Sequence, residues 1–492
     1  MASETKELHF LVFPLMGPGH MNPLVDIARA LAHRGVSISI FTTPHNAARF
    51  ERVIARDREN GFRINLIQLK FPYEEVGLPQ GCENFDLLPS LGLATKLFSA
   101  ASMLQKPAET LVEGLTPQPN CVISDTCLPW TINIARKLNI PRITFTGGSG
   151  FFLFCLHKLV ASKVLEKVSS DTEFCVVPDL PDRIEVMKEQ LQGPRASTIT
   201  ELSQQIAEAD MRSYGIIINS FEELEPEYVK DYKRVRKVWF VGPASLSNKD
   251  DLDKVQRGND NSSVDKYQCL KWLDSSKPCS VVYVCLGSMC NLTPPQLIEL
   301  GLGLEASNKP FIWVIRGSGI NRSEELEKWF QEYEFEERIK GRGVVIRGWA
   351  PQVLILSHPA VGAFLTHCGW NSTLEGICAG VPMVTWPLFA DQFLNEKLVA
   401  QVLNIAVTLG SEIPLVWGEE DQVGVMVKSD TIKNAIEKVL DEGEESKERR
   451  ERVRKLGEMA KRAVDEGGSS HCSMTLLLED IAQLGGSTEQ KE

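Results

Sequence analysis

Short apolar runs alternate with segments of helical periodicity along most of the chain, and this alternation restricts the possible folds. The run His9–Phe13 precedes a segment in which Leu24, Ile27 and Leu31 recur at helical spacing, and a second strand is expected at residues 36–41. Further elements are expected at residues 121–124, 131–138, 142–145 and 215–219. Strands that alternate with helices form parallel sheets with crossover helices. The sequence therefore predicts an α/β protein.

The first helix is expected to begin at Asn22 and Pro23, as its N-cap and first helical residue. Residues 17–19, Gly-Pro-Gly, then form a turn after the first strand. This placement leaves His20 on a loop just before a helix. A helix dipole disfavours the imidazolium there, so the ring is expected to stay neutral and able to accept a proton.

Two such α/β patterns are separated by a polar, charged stretch at residues 245–266. After it the pattern restarts with strands at 280–286, 310–316 and 344–347 and a helix capped by Thr293. Because 492 residues exceed one ordinary domain, we expect two doubly wound, Rossmann-like domains facing a cleft, with ligand at the carboxyl ends of the strands. The predicted boundaries are 1–244 for the first domain, 245–266 for a linker, 267–465 for the second domain and 466–492 for a tail.

Composition excludes several classes of protein. A formal charge of −12 argues against nucleic-acid binding, and 43% hydrophobic residues are enough to fill cores. No apolar run approaches the 18 residues of a membrane span, and the N-terminus lacks the basic flank of a signal peptide. The 12 cysteines form no C-x-x-C pairs, so reduced, buried thiols in a cytoplasmic protein are expected.

A strand, a glycine turn and a helix N-terminus follow one another between residues 361 and 375. The apolar run 361–365 precedes His367 and Gly369, and Asn371 or Ser372 is expected to open the helix. A helix N-terminus exposes unpaired N–H groups and the positive end of the macrodipole, which suit a phosphate anion. The three polar side chains add donors at the same place. The pattern predicts a diphosphate site.

The segment from Trp349 to Gln392 resembles, nearly residue for residue, the signature box of the plant family 1 UDP-sugar-dependent glycosyltransferases. The tryptophans, His367, Glu375 and the Asp391-Gln392 ending are all in place. The resemblance implies a GT-B fold, in which the last helix returns to the N-terminal, acceptor-binding domain. It also implies an inverting glucosyltransferase that moves glucose from UDP-glucose to a hydroxyl of a small lipophilic acceptor, flavonoid, triterpenoid or steroid-like, giving a β-O-glucoside. Such an enzyme needs no cofactor and no metal, and a monomer is expected.

The resemblance assigns most of the UDP-sugar site to this box. In similar enzymes the tryptophan stacks on uracil, alanine and glutamine bind uracil or ribose, the glutamate holds the ribose hydroxyls, and the last two residues contact the hexose. Glutamine at the end of the box is typical of glucose users. The implied site residues are Ser288, Trp349, Ala350, Gln352, His367, Gly369, Trp370, Asn371, Ser372, Glu375, Asp391 and Gln392.

Several of these residues have structural alternatives. Trp349 suits a buried core, and Ser288 suits a turn before a helix. Ser372 and Glu375 also match a capping box, in which the glutamate closes the helix start without any ligand. Many relatives place a threonine against the sugar from the first domain, and the register leaves it open whether Thr146 does so here.

His20 and Asp125 are the predicted catalytic pair. The stretch 17–23 resembles the family's N-terminal turn, except at Pro18, which implies that His20 is the general base. Asp125 ends another parallel strand and could hold the tautomer of the histidine and stabilise the imidazolium. A surface histidine and a helix-capping aspartate are the structural alternatives.

Two other functions remain possible on the sequence alone. An NAD(P)-dependent oxidoreductase also uses doubly wound domains, but Asn22 replaces the third glycine of a G-x-G-x-x-G fingerprint. A non-catalytic protein that binds a UDP-sugar or a terpenoid would not need both His20 and Asp125. Asp251-x-Asp253 matches a metal-binding motif of other glycosyltransferases, but it lies in the polar linker rather than at a strand end.

Overall fold

The computed structural model describes residues 7–191, 197–248, 266–290, 292–315 and 320–487. Its first half contains a seven-stranded parallel sheet and a small hairpin. In chain order the strands are β1 (His9–Phe13), β2 (Ser37–Thr42), β3 (Ile64–Gln68), β4 (Cys121–Asp125), β5 (Arg142–Thr146), the hairpin strands β6 (Phe174–Val176) and β7 (Glu185–Met187), β8 (Gly215–Ile218) and β9 (Val238–Phe240). The order across the sheet is β3-β2-β1-β4-β5-β8-β9.

The helices of the first half connect these strands and cover both faces of the sheet. They are α1 (Pro18–Ala32), α2 (Pro44–Glu59), α3 (Ala94–Met103), α4 (Gln105–Glu113), α5 (Thr131–Leu138), α6 (Gly150–Ser162), α7 (Ser197–Met211) and α8 (Pro226–Val235). Strands β1 and β8 are buried at every position, which explains why they are nearly continuous apolar runs.

The second half contains a six-stranded parallel sheet in the order β12-β11-β10-β13-β14-β15. Its strands are β10 (Val281–Cys285), β11 (Phe311–Ile315), β12 (Gly343–Arg347), β13 (Val361–Thr366), β14 (Met383–Thr385) and β15 (Ala406–Thr408). Its helices are α9 (Lys266–Asp274), α10 (Pro294–Ala306), α11 (Ile320–Glu332), α12 (Phe335–Arg338), α13 (Gln352–Leu356), α14 (Trp370–Ala379), α15 (Gln392–Lys397), α16 (Ser429–Val439), α17 (Glu444–Val464) and α18 (Ser469–Ser487). The predicted pair of doubly wound halves is confirmed.

The strand order determines where ligands can bind. In each sheet the order reverses beside the first strand, between β1 and β4 in one half and between β10 and β13 in the other. Ligands of doubly wound sheets bind beyond the carboxyl ends of the strands at this reversal. Asp125 is the last residue of β4, and the segments that follow β1, β10 and β13 carry His20, Ser288 and His367.

The predicted starts of two helices were wrong. Helix α1 begins at Pro18 with Gly17 as its N-cap, so Pro23 lies inside the helix and His20 is in its first turn rather than on a loop. Proline is favoured at the first helical position, and Pro18 satisfies that preference five residues earlier than Pro23. Helix α14 begins at Trp370 with Gly369 as its N-cap, one residue before the expected Asn371.

The C-terminal helix α18 packs on the first half. Met474, Leu477 and Ile481 are buried in the core of the first sheet, and Asp480 accepts a hydrogen bond from Trp239 Nε1 at 3.2 Å. The expectation that the last helix returns to the N-terminal half is met. The domain boundaries themselves remain predictions.

The predicted linker is only partly described. Of residues 245–248, Ser245 and Asn248 are buried, and Asn248 Nδ2 donates to Asp26 Oδ1 on α1 at 2.9 Å. Asp251 and Asp253 lie outside the described residues.

All 12 cysteines are free thiols, and two of them, Cys279 and Cys472, are exposed rather than buried as expected. Within the described ranges, no helix has the length and apolar character needed to cross a bilayer.

Candidate active site

A cavity of about 440 Å³ lies between the two halves, at the carboxyl ends of both sheets. All twelve residues of the predicted UDP-sugar site line it, together with His20. Asp125 does not line the cavity, because it is fully buried behind His20. The fold therefore brings together side chains that are up to 372 positions apart in the sequence, from His20 to Gln392.

The imidazole of His20 and the carboxylate of Asp125 form a hydrogen-bonded pair. His20 Nδ1 lies 2.7 Å from Asp125 Oδ2. The pair forms because β1 and β4 are neighbours, with Phe13 opposite Ser124 in the register, and both residues lie just beyond that point. With Nδ1 bonded to a carboxylate, Nε2 is the nitrogen that can accept a proton at the cavity.

The pKa of His20 is raised above its usual value. Burial by itself lowers this pKa, but the charge of Asp125, its hydrogen bond and the charge of Asp391 together outweigh the burial. The expectation that the helix dipole keeps the ring neutral was therefore wrong in direction. The two nearby carboxylates, Asp125 and Asp391, favour the charged form of the ring.

Asp125 is held in place from two sides. Its Oδ1 accepts a hydrogen bond from the backbone N–H of Cys127 at 2.9 Å. The buried guanidinium of Arg142 donates from Nε to Thr131 at 2.8 Å and from Nη2 to the backbone oxygen of Asp125 at 3.4 Å. The structural alternative of an aspartate that caps the following helix is wrong, because α5 begins at Thr131 with Trp130 as its N-cap and the second oxygen of Asp125 faces His20.

Gly147 lies against the ring of His20. A Cβ at this position would be 3.3 Å from both Cε1 and Nε2 of the imidazole, closer than side chains normally approach. Glycine therefore lets the loop after β5 pass close to the proposed base. Thr146, before it, also lines the cavity, and its contact with the sugar remains untested.

The glycine turn before α14 is shaped around His367. A Cβ at either Gly287 or Gly369 would overlap the imidazole of His367. Gly369, which is also the N-cap residue of α14, has no side chain to cap the helix, and the helix start faces the cavity. The amides of the first turn and the positive end of the dipole are thus directed to the place predicted for the diphosphate.

The capping-box alternative for Ser372 and Glu375 is wrong. Ser372 is the third residue of α14 rather than its N-cap, so the two side chains do not close the helix start. Instead, Gln352 Nε2 donates to Glu375 Oε2 at 2.8 Å and to Ser372 Oγ at 3.1 Å, and Tyr283 Oη donates to Gln352 Oε1 at 3.3 Å. These bonds hold the amide and the carboxylate together at the cavity wall.

Asp391 is tied to both halves of the molecule through Asn395. Asn395 Nδ2 donates to Asp391 Oδ2 at 2.7 Å and to the backbone oxygen of Cys368 at 3.0 Å. Asn395 Oδ1 accepts from Ser149 Oγ of the first half at 3.0 Å. Burial raises the pKa of Asp391 to about 6, although the hydrogen bond from Asn395 and the charge of His20 act against the burial.

Gln392 is fixed by the loop that precedes it. Its Oε1 accepts the backbone N–H groups of Leu388 and Phe389, at 2.9 and 3.1 Å. Both lone pairs of this oxygen are thereby engaged, so the Nε2–H groups are what this residue can offer to a ligand.

Three site residues were missed from the sequence. Asn395 and Asn219 bridge the halves, and Trp417 lines the cavity from the loop after β15. The rings of Phe85 and Phe389 contact Trp417 edge-on, with centroids at 6.2 and 5.5 Å. Asn219 follows a parallel strand directly, as His367 does, and the end-of-strand rule could have found it. No local pattern indicates the other two.

Comparison with known proteins agrees with this geometry. Residues 248–455 match the family model described as UDP-glucoronosyl and UDP-glucosyl transferase. The chain is 54% identical to UDP-glycosyltransferase 73C25 of Barbarea vulgaris, over 98% of this chain and 97% of the relative. It is 53% identical to UDP-glycosyltransferase 73C6 of Arabidopsis thaliana, over 99% and 98%. The chain belongs to the plant family 1 UDP-glycosyltransferases.

Solved structures of this family share the fold of the new UDP-glycosyltransferase. Glycyrrhiza uralensis UGT73P12, complexed with glycyrrhetinic acid 3-O-monoglucuronide, superposes with a TM-score of 0.86 at 36% identity, covering 99% of this chain and 98% of that one. Arabidopsis thaliana UGT89C1, complexed with UDP-L-rhamnose, gives 0.74 at 30% identity, covering 97% and 100%.

Family membership settles the general activity of this UDP-glycosyltransferase. It is an enzyme that transfers a sugar from a UDP-sugar to an acceptor, so the oxidoreductase and the non-catalytic binding protein are both excluded. The roles of the individual site residues remain predictions that rest on their geometry.

Proposed function

We propose that this UDP-glycosyltransferase transfers glucose from UDP-glucose to a hydroxyl of a small lipophilic acceptor and forms a β-O-glucoside with UDP. One observation carries the proposal. His20, held by the buried Asp125 behind it, lines the same cavity as Asp391 and Gln392. A base and a hexose site in one cavity suit an attack on C1 from the side opposite the leaving UDP, which inverts the α-linked donor.

The proton of the acceptor hydroxyl passes to Nε2 of His20. Asp125 holds the opposite nitrogen and balances the positive charge as the imidazolium forms. The raised pKa makes His20 a stronger base than a free histidine. The pair therefore provides both the orientation and the basicity that removal of an alcohol proton requires.

The departing UDP gains negative charge on its diphosphate. The start of α14, with His367, Asn371 and Ser372, and the facing Ser288 surround the corresponding part of the cavity. Preorganised donors of this kind stabilise charge without rearrangement during the reaction. We propose that they act without a metal ion and that the enzyme needs no cofactor.

Glucose is the proposed sugar because Gln392 ends the donor box. The cavity wall also contains apolar and aromatic side chains, Phe152, Met289, Phe389 and Trp417, and we propose that these contact the acceptor. A neighbour in structure binds glycyrrhetinic acid 3-O-monoglucuronide, and UGT89C1 has been solved with quercetin. A triterpenoid, steroid-like or flavonoid alcohol fits the same type of wall. Function as a monomer remains a prediction.

The test is incubation of the enzyme with UDP-glucose and a mixed panel of phenolic, steroid and triterpenoid alcohols, read by mass spectrometry. A mass gain of one hexose on at least one panel member, with β-configuration by NMR, is expected. Parallel reactions with EDTA should keep the rate within about twofold, because protein donors replace the metal. Strict dependence on added Mn²⁺, or transfer only from another UDP-sugar, contradicts the corresponding part of the proposal.

The role of His20 has its own test. His20→Ala should lower kcat by about 10²- to 10⁴-fold, the usual effect of removing a general base, and leave the affinity for UDP nearly unchanged. The reason is that the donor residues belong to the other half of the molecule. A variant that kept more than about a tenth of the wild-type rate would rule out His20 as the proton acceptor.

A further inference from the structure

Asn219 connects the two halves through its backbone and its side chain. It follows strand β8 in the first half and is almost fully buried. Trp370 Nε1 donates to the backbone oxygen of Asn219 at 2.7 Å, and Asn219 Nδ2 donates to Asn371 Oδ1 at 3.1 Å. Both partners lie in the first turn of α14, so Asn219 contacts the start of the helix proposed to bind the diphosphate.

The directions of these hydrogen bonds are determined at both ends. Asn219 Oδ1 accepts from the backbone N–H of Ala244 at 2.7 Å, and an N–H group can only donate. Asn219 must therefore present Nδ2 to Asn371. Asn371 in turn must present Nδ2 to its other partner, the backbone oxygen of Gly19, which can only accept. We call this chain of bonds, from Ala244 through Asn219 and Asn371 to Gly19, the amide relay.

The carbonyl of Gly19 is available to the amide relay because of Pro23. In an α-helix the carbonyl of residue 19 accepts from the N–H of residue 23, and proline has no N–H. Pro23 lies inside α1, so this carbonyl lacks its usual helical partner. The carbonyl of Gly19 belongs to the residue just before His20, and it points toward the other half of the molecule.

Close approach of the backbone also restricts the orientation of the Asn219 side chain. A Cβ at Gly242 would overlap Oδ1 of Asn219, so the chain approaches this side chain as closely as glycine allows. The orientation of the Asn219 amide is therefore fixed by packing as well as by the bond from Ala244. The last bond of the relay joins the turn that carries His20 to the turn proposed to hold the diphosphate.

We propose that Asn219 is a positioning residue that orients the amide of Asn371 and so holds the base of the first half in register with the donor site of the second. This inference rests on the proposed role of His20 as the base. In the relay, one N–H of Asn371 Nδ2 bonds Gly19, and the second N–H remains directed to a ligand.

Two substitutions of Asn219 separate this role from simple anchoring of the Ala244 loop. Asn219→Asp keeps an acceptor for the Ala244 N–H but has no N–H for Asn371. Asn371 must then reverse its amide, which places two oxygens face to face at Gly19. Asn219→Ala loses the Ala244 bond but lets Asn371 keep its orientation. The relay predicts that N219D loses more kcat than N219A, whereas loop anchoring predicts the opposite order.

A third substitution tests the relay without adding a charge. Pro23→Ala supplies an N–H that competes with Asn371 for the Gly19 carbonyl. We expect kcat to fall about 2- to 12-fold, the effect of weakening one hydrogen bond, with the UDP Kd within about twofold. The Tm should be unchanged or higher, because alanine suits a helix interior better than proline. Pro44→Ala, at the exposed first position of α2, is the matched control and should behave as wild type.

The measurements are kcat at saturating donor and acceptor, UDP affinity by calorimetry, and Tm. The relay is supported if N219D loses more kcat than N219A and if P23A loses kcat without a fall in Tm. It is overturned if N219A loses at least as much as N219D, if P23A matches P44A, or if P23A loses kcat together with Tm. His20→Ala in the same assay tests the base itself, so a failure of that role is seen separately from a failure of the relay.

Discussion

His20 is subject to two opposing influences, burial and negative charge. Burial alone would lower its pKa and make it a weaker base, while Asp125 and Asp391 raise the pKa. The raised value has a consequence for activity. A general base works only when it is unprotonated, so the wild-type rate falls as the pH drops through a pKa that lies above 6.5.

Asp125→Asn should move this acidic limb to lower pH. The substitution removes the charge that raises the His20 pKa and leaves the burial that lowers it. The maximal rate should also fall, by at least about tenfold for each unit of lost pKa, because the imidazolium loses its counter-charge. The measurement is kcat/KM against pH.

An exposed carboxylate beside another histidine offers a control. Asp274 Oδ1 lies 3.1 Å from His358 Nε2, and neither residue lines the cavity. Asp274→Asn should leave the profile unchanged. An acidic limb that stayed in place in the Asp125 variant would mean that Asp125 does not set the His20 pKa.

The side-chain oxygen and nitrogen of Gln392 are expected to have different partners, and substitutions can test the two interactions separately. Its Oε1 supports the backbone of Leu388 and Phe389, which leaves Nε2 to donate to a sugar hydroxyl. Gln392→His should shift preference from UDP-glucose toward UDP-galactose and lower the total rate. One misplaced hydrogen bond costs roughly 1–3 kcal/mol, or about 5- to 150-fold, and we expect the lower end because the predicted contact of Asp391 with the sugar would be kept.

Gln392→Glu is the companion variant, since it keeps an oxygen for the backbone N–H groups and replaces the amide donor with a carboxylate oxygen. It should lower transfer of glucose without a fall in Tm. Both variants are measured by donor competition with the two nucleotide sugars at equal concentration. An unchanged glucose-to-galactose product ratio in both would show that Gln392 does not contact the hydroxyl that distinguishes these sugars.

At the scale of elements, the predicted donor site consists of a strand, a glycine turn and a helix. Together they leave space for one imidazole ring. Gly287 follows β10 and Gly369 precedes α14, and His367 occupies the space between them. The φ of Gly369 is −58°, which any residue adopts, so the need for glycine is one of space rather than of backbone conformation.

Gly369→Ala should therefore damage the site more than the fold. The added methyl group displaces His367, and overpacking of this type costs about 1–3 kcal/mol. We expect the UDP Kd to rise about tenfold or more, with a smaller change in Tm. Gly114→Ala is the control, because a Cβ there has its nearest neighbour at 3.8 Å. Unchanged UDP affinity in the Gly369 variant would mean that His367 does not contact the nucleotide.

At the scale of the molecule, the halves are joined by the C-terminal helix as well as by bonds at the cleft. Helix α18 leaves the second half and inserts Leu477 into the core of the first, whereas its neighbour Leu476 is 56% exposed. Leu477→Ala should lower the free energy of unfolding by about 2–5 kcal/mol. Leu476→Ala should change it by no more than about 0.5 kcal/mol.

Thermal unfolding of both leucine variants gives the comparison. The buried substitution should lower the Tm of the first half, and the exposed one should leave it unchanged. Equal Tm values for the two variants would contradict the packing of α18 on the first sheet.

The amino-acid sequence by itself determined the doubly wound fold and most of the candidate site. Buried parallel strands are continuous apolar runs, which are easy to recognise, and polar residues just after them, such as Asp125 and His367, gather at one edge of each sheet. Helix starts were less accurate, because Pro18 and Pro23 both satisfy the local preference and only packing chooses between them.

Only the tertiary structure decided which residues act across the cleft. Asn395 and Trp417 have no local pattern that marks their roles, and the end-of-strand position of Asn219 does not reveal its partner in the other half. The direction of the His20 pKa was likewise beyond sequence reasoning. It depends on the distances to Asp125 and Asp391, and electrostatic energies follow separation in space rather than separation along the chain.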